Sequence, residues 1–340
     1  MVSIASDASL LKYNTFGIDC RAKWLAVVTK VEDVAELSQS GSLAEGGYVV
    51  IGQGSNLVFA ERYEGLALVM ENRGVRVADE DEETVTVEAA AGEVWDDFVK
   101  RCIGNGWHGI ENLTAIPGTV GASAVQNIGA YGVEAKDVIE SVSAYDVREK
   151  KMVEFVNAEC GYGYRESRFK HAEGKRYVVT SVRYRLKKKY EPVLTYKALA
   201  DELGEGGERD AQSVSGTVER IRWSKLPRPE ELGNAGSFFK NPVVGKEKYE
   251  ALKRENPDMP AHETAEGMKL AAGWLIDRCG WKGRRLGKCG VYEKQALVLV
   301  NRGGCSGEEV RELARTVAKD VRERFGVEIE CEAEFVGFNK

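Results

Sequence analysis

The residues best suited to chemistry lie in and beside a few glycine-bearing stretches. Gly52-Gln53-Gly54-Ser55-Asn56 follows a short apolar run. Two glycines in a polar turn after a strand let main-chain N–H groups converge on an anion such as phosphate. The third glycine of the dinucleotide fingerprint is missing, so a plain strand-ending turn is the alternative. Pro117-Gly118-Thr119-Val120-Gly121-Ala122 and Gln126-Asn127-Ile128-Gly129-Ala130-Tyr131-Gly132 could press flat against a planar or diphosphate ligand. A tightly packed core loop would use the same residues. Arg165, in Tyr162 to Lys170, could hold a carboxylate with two parallel hydrogen bonds, or belong to a solvated basic turn.

Ser237 stands between Gly236 and the pair Phe238-Phe239, which predicts a desolvated hydroxyl. No GxSxG elbow surrounds it and no histidine is near, so it is not an activated nucleophile. It could still deliver a proton to a strongly basic partner. Near the C-terminus, Glu328, Glu330, Glu332 and Glu334 alternate along an expected strand over 327–336 and share one face. Four like charges repel, so most must be solvated, with room for one to point into a cleft.

The 340 residues suggest two or three domains and a core large enough to fold without disulfides. No run approaches the ~18 apolar residues of a membrane span, and the first twenty residues lack the pattern of a secretory signal. A net charge of -6 argues against binding the phosphate backbone of nucleic acid. Three histidines leave little room for a histidine-built metal site, and no metal is expected. Glycine is unusually frequent, 37 residues against the ~7% of ordinary chains, while proline is scarce. The seven cysteines (Cys20, Cys102, Cys160, Cys279, Cys289, Cys305 and Cys331) are odd in number and scattered. They read as reduced, mostly buried thiols.

Periodicity predicts the elements that must position these residues. Helices are expected over 31–41, 93–103, 213–223, 269–278 and, most clearly, after Ser306. There Ser306 and Glu309 match a capping box, Val310, Leu313, Ala314, Val317, Val321 and Phe325 form one face, and Gly326 is placed to end the helix. Strands are expected over 47–51, 65–70, 84–89, 141–147, 177–186 and 296–301. The stretch 110–134 carries few charges and many small residues. It cannot make a stable surface helix, and an irregular loop so long is expected to have a function. Helices and strands mix without regular βαβ alternation, which predicts an α+β fold.

Taken together, GQGSNLVF, IPGTVGASAVQNIGAYGVE, YRESRFK, GNAGSFFKNP and EKQALVLVN resemble, in order and spacing, the UDP-N-acetylenolpyruvoylglucosamine reductases (MurB). The similarity runs from about Asn14-Thr15-Phe16 to Gly337. The length and Pro192-Val193-Leu194-Thr195-Tyr196 resemble the type I form, in which a tyrosine-bearing loop covers the substrate. The resemblance implies a two-part FAD-binding module of the vanillyl-alcohol-oxidase (PCMH) type plus an α+β substrate domain. Residues 1–75, joined by 327–340, and 76–225 would be the two flavin subdomains, and 226–326 the substrate domain.

It further implies an NADPH-dependent flavoenzyme that reduces the enolpyruvyl group of UDP-N-acetylglucosamine-enolpyruvate to UDP-N-acetylmuramate, a peptidoglycan precursor. The enzyme would be a cytoplasmic monomer, with neither nucleic-acid nor membrane partner. Noncovalent FAD would be held by Gly52, Gln53, Gly54, Ser55, Asn56, Pro117, Gly118, Thr119, Gly121, Ala122, Gln126, Asn127, Ile128, Gly129 and Tyr131. Ser237 matches the family's proton donor, Arg165 the arginine that stabilises the enolate carboxylate, and Glu332 the catalytic glutamate, counted back without gaps from Phe335-Val336-Gly337. Tyr196, Lys225 and Asn241 match contacts to the UDP diphosphate, and Lys282 and Gln295 further substrate contacts. The chain departs from the family pattern at Tyr292, usually histidine, at Cys331, often proline, and at Glu334, often arginine.

Two other function classes would account for part of this pattern. A related FAD-dependent oxidase would keep the flavin loops but has no reason to retain Ser237 or the Tyr196 and Lys225 pair. A non-catalytic nucleotide-sugar binder would not need two flavin loops. Yellow colour rejects the binder, and NADPH consumption that depends on the enolpyruvyl sugar nucleotide rejects the oxidase.

Overall fold

The computed structural model describes residues 2–43, 47–204 and 207–338. These residues form two compact units, each assembled from separate stretches of chain. The first comprises Met1–Ala8, Ala22–Gln53 and Glu64–Ser224, and the second Ser9–Arg21, Gly54–Tyr63 and Lys225–Lys340.

The first unit is built on two sheets. One has the strand order Ile4–Ser9, Arg21–Val28, Arg62–Met70, Tyr48–Ile51, with the last pair parallel. The other is antiparallel, in the order Lys151–Val156, Ile139–Asp146, Tyr177–Lys187, Thr84–Ala90, Val75–Glu80. Burial alternates along the second half of Tyr177–Lys187, where Val182, Tyr184 and Leu186 point inward. That period of two buries one face and leaves the other to the arginines. Helix Trp95–Gly104 closes the core with an aromatic triangle. Trp95, Phe98 and Tyr184 have ring centroids 5.0–5.8 Å apart. Helices Lys197–Leu203 and Ala211–Lys225 pair around a small core of Leu199, Val214, Val218 and Ile221, onto which Tyr131 and Leu194 pack.

In the second unit, helix Gly307–Phe325 follows its sequence signals closely. Ser306 Oγ accepts from the Glu309 N–H at 3.2 Å, Glu309 returns the bond to the Ser306 N–H at 2.9 Å, and Gly326 ends the helix with φ of +60°. Two three-stranded sheets accompany it, along with a parallel pair in which Glu334–Val336 lies against Leu57–Phe59. The mixture of helices and predominantly antiparallel strands is the expected α+β class.

Five expectations need correction. The stretch 110–134 is not wholly irregular, because Val120–Gln126 is a helix. Its stability comes from burial, since Ser123 Oγ meets the Tyr184 hydroxyl at 2.7 Å and Gly121 lies against Ala91. The final strand is only Glu334–Val336. Burial alternates from Val327 to Glu330, with Glu328 and Glu330 exposed, and then stops alternating at Cys331 and Glu332, both half-buried. The expected helix 269–278 begins at Ala272, because Lys269 and Leu270 complete the strand Gly267–Leu270, and the expected strand 296–301 is confined to Leu299–Asn301. Finally, Cys289 and Cys305 form a disulfide, both nearly fully buried, while the other five cysteines are thiols.

Candidate active site

In the first unit the two glycine-rich loops meet. The Gln53 side-chain carbonyl accepts from the Gly118 N–H at 2.8 Å, tying the first loop to the second. A Cβ on Gly52 would come within 2.5 Å of Thr119 Oγ1, so glycine here serves the approach of one loop to the other. Thr119, buried, also caps helix Val120–Gln126. At the other end Asn127 turns the chain with φ of +42°. Its fully buried side chain donates to the Gly163 carbonyl at 2.7 Å and accepts from the Lys136 N–H at 3.0 Å.

This ordering fixes Arg165. Its backbone is left-handed, φ +53°, in a tight turn closed by two 3.1 Å bonds between Gly163 and Glu166. Its guanidinium donates to the Gly129 carbonyl at 2.5 Å and reaches the Asn127 carbonyl at 3.5 Å. A Cβ on Gly129 would stand 2.8 Å from Arg165 Nη1, which explains glycine at that position. Tyr131, with φ of +49°, follows directly. Its ring meets that of Tyr196 edge to face at 5.2 Å. Burial raises the Tyr131 phenol above its usual range, against a lowering pull from Arg222 and with a further raise from Tyr196. Tyr196 itself is exposed at the start of helix Lys197–Leu203.

Gln126 tests whether these residues fit a flavin nucleotide. Its Oε1 is buried with no hydrogen-bond partner among the described residues. An acceptor left so costs ~1–3 kcal/mol. FAD carries an isoalloxazine N–H and several hydroxyls that could donate to it. Small residues, tightly turned loops and this acceptor suit the cofactor.

Sequence reasoning missed three residues here. Asp96 Oδ1 accepts from the N–H of Ala115, itself left-handed at φ +60°, at 2.6 Å, and Arg222 Nε donates to the Ala115 carbonyl at 3.2 Å. Burial lowers the Arg222 guanidinium below its usual value, with Tyr131 opposing and Arg165 adding to the drop. The basic run Arg220 to Lys225 was visible, but only Lys225 was chosen from it, and Lys225 is exposed. The third residue is Asn112, buried beneath the Tyr131 turn.

In the second unit, Gly54, Ser55 and Asn56 continue the first loop. Gly54 packs against the Tyr13 carbonyl, and its own carbonyl accepts from the Thr15 N–H at 3.3 Å. The Asn56 side chain donates to the Glu332 carbonyl at 3.0 Å. Ser237 is exposed, contrary to expectation. The two phenylalanines after it are the buried groups, in contact with each other and, through Phe238, with Phe16 and Phe335. They anchor this segment and leave the hydroxyl at the surface. The Glu332 N–H donates to the Phe238 carbonyl at 2.8 Å, and Cys331 bridges to Phe239, so the backbone of Glu332 lies opposite Phe238, the residue after Ser237. Glu334 lies further on, opposite Leu57.

Asn241 and Gln295 converge on the start of helix Ala272–Arg278. Asn241 Oδ1 accepts from the Ala272 N–H at 3.0 Å, and Gln295 Oε1 lies 3.0 Å from where a Gly273 Cβ would be. Lys282 is exposed and paired with Asp277 at 3.5 Å.

Residues 228–336 match the family described as UDP-N-acetylenolpyruvoylglucosamine reductase, C-terminal domain, and residues 22–154 match the FAD binding domain. The UDP-N-acetylenolpyruvoylglucosamine reductases of Bacteroides fragilis and Chromobacterium violaceum are each 47% identical to this chain. The alignments cover 96% of this chain in both cases, and 98% and 97% of those proteins. The crystal structure of the enzyme from Thermus caldophilus superposes with a TM-score of 0.69 at 25% identity, covering 99% of each chain. The chain therefore belongs to the UDP-N-acetylenolpyruvoylglucosamine reductase (MurB) family and is an FAD-dependent UDP-N-acetylmuramate dehydrogenase of peptidoglycan precursor synthesis.

Proposed function

We propose that this enzyme reduces the enolpyruvyl ether of UDP-N-acetylglucosamine in two half-reactions, with NADPH as the electron source and Ser237 as the proton donor. When bound, FAD would supply hydride transfer, from NADPH to the vinyl group of the second substrate. Residues 52–56 and 117–131 hold the cofactor, with Gln126 Oε1 accepting from one of its donors. Residues 1–75 and 76–225 serve as flavin subdomains and 226–326 as the substrate domain. The enzyme works as a cytoplasmic monomer.

Arrival of hydride at the terminal vinyl carbon leaves negative charge on the neighbouring carbon and its carboxylate. Arg165 holds that carboxylate, and a fixed guanidinium stabilises charge that exists only during the reaction. The Ser237 hydroxyl then gives its proton to the adjacent carbon. A serine hydroxyl is a weak acid, and only a carbanion-like partner can take its proton. Glu332 serves as the catalytic glutamate. Tyr196, Lys225 and Asn241 bind the diphosphate, and Lys282 and Gln295 make further substrate contacts.

The observation that most supports the proton donor is the 2.8 Å bond from the Glu332 N–H to the carbonyl of Phe238, the residue after Ser237. It sets the backbone of Glu332 opposite the residue next to the exposed Ser237, within one unit. Stopped-flow measurement of the two half-reactions tests the reading. NADPH should bleach the flavin, and the enolpyruvyl sugar nucleotide should restore its colour. A polypeptide that stays colourless and refuses added flavin would refute it.

A further inference from the structure

Asn112 is 3% exposed, in the short turn Glu111–Leu113. Its amide has two N–H donors. One goes to the Tyr131 carbonyl at 2.8 Å and the other to the Val193 carbonyl at 2.9 Å. The two acceptors lie 19 and 81 residues away, on different loops. Tyr131 is left-handed, a conformation that a residue with a Cβ holds only when its surroundings fix it. Val193 lies in 191–195, a segment with no regular structure, exposed at every position but Leu194. The two loops touch elsewhere as well: Thr195 lies against Gly132, and the Tyr131 and Tyr196 rings meet.

Asn112 is itself firmly held. Glu111 accepts from the Gly109 N–H at 2.8 Å and meets His108 Nδ1 at 2.9 Å. The Trp95 indole donates to the Leu113 carbonyl at 2.9 Å. A rigid buried amide thus grips a strained turn with one hydrogen and an exposed segment with the other.

We infer that Asn112 is a positioning residue that fastens the Tyr131 turn of the flavin loop to the segment carrying Tyr196, so that the two loops move as one piece. The arrangement makes the setting of Tyr196 depend on the flavin loop. The inference rests on the proposed contact between Tyr196 and the UDP diphosphate.

The test uses the holoenzyme with Asn112→Ala, Asn112→Asp, Tyr196→Ala and the double variant Asn112→Ala with Tyr196→Ala. Asn112→Asp keeps the size and removes both donors, and it serves if the alanine variant folds poorly. Two quantities are read: hydrogen exchange of the amides at 193–196, and the Kd of the enolpyruvyl sugar nucleotide from its perturbation of the flavin spectrum. Exchange at 193–196 should quicken ~10-fold or more in both Asn112 variants, and Kd should rise about as much. The double variant should bind no more weakly than Tyr196→Ala alone, because both changes disable one device. Unaltered exchange, or losses that simply add, overturns the inference while leaving the proposed role of Tyr196 standing. An unaltered Kd in Tyr196→Ala overturns the substrate contact of Tyr196 itself, and with it the consequence for binding.

Discussion

Asn56 grips the backbone of Glu332. Its side-chain amide donates to the Glu332 carbonyl at 3.0 Å, and its own carbonyl accepts from the Glu334 N–H at 2.9 Å. A residue of the first glycine loop therefore sets the register of the C-terminal acidic segment. With that register fixed, Glu332 lies opposite Phe238, next to Ser237 in sequence, and Glu334 falls two places beyond.

Glu332→Gln should therefore be far more damaging than Glu334→Gln. Steady-state turnover of the two variants, each checked for bound FAD, gives the ranking. The reverse order would mean that the catalytic glutamate lies two residues further along the chain.

Ser237→Ala should separate the half-reactions. Flavin reduction by NADPH should stay near normal, while re-oxidation by the enolpyruvyl substrate slows by ~10²–10⁴-fold, the usual worth of a positioned proton donor. Near-normal re-oxidation would remove Ser237 from the mechanism.

Arg165→Met should lower kcat by ~10²–10³-fold, as expected when a fixed donor to developing charge is lost. The protein should stay yellow. Gly129→Ala should mimic it in part, because the added methyl would press on Arg165 Nη1.

Gln126→Leu should weaken FAD. The variant removes the buried acceptor, and a lost hydrogen bond of ~1 kcal/mol corresponds to a Kd raised about fivefold. Fluorescence recovery during dialysis reads the release, independent of turnover.

Mass spectrometry after alkylation in denaturant without reductant should find five modified cysteines, since Cys289 and Cys305 are bonded. Reduction should bring the count to seven. In the native protein Cys331 should react slowly at pH 8. Burial, with Glu330 beside it, pushes this thiol up to about 11. Its thiolate fraction at pH 8 is then on the order of one in a thousand, and the rate should climb steeply above pH ~10. Fast reaction at pH 8 would place Cys331 at the surface.

What the sequence disclosed depended on how far apart the determining partners lie. Helix Gly307–Phe325 was legible from cap to cap because Ser306, Glu309 and Gly326 act within a few residues of the helix they bound. Helix Val120–Gln126 was not, because Ala91 and Tyr184 stabilise it from distant strands. Arg165 and the glycine loops could be named as residues, but the Gly129–Arg165 contact could not be foreseen. Asn112 gave no local sign, since its partners are Tyr131 and Val193. The Ser237 environment was misjudged because neighbouring aromatics turn away from it into the core. The Cys289–Cys305 bond spans 16 residues, and spacing alone did not select that pair.

The parallel pairing of Leu57–Phe59 with Glu334–Val336 bears on how the protein is made. Residues 57–59 leave the ribosome some 275 residues before their partner, and until that partner emerges their edge has nothing to dock on. A product that stops before residue 334 would carry that open edge permanently, so premature termination marks itself for aggregation or proteolysis.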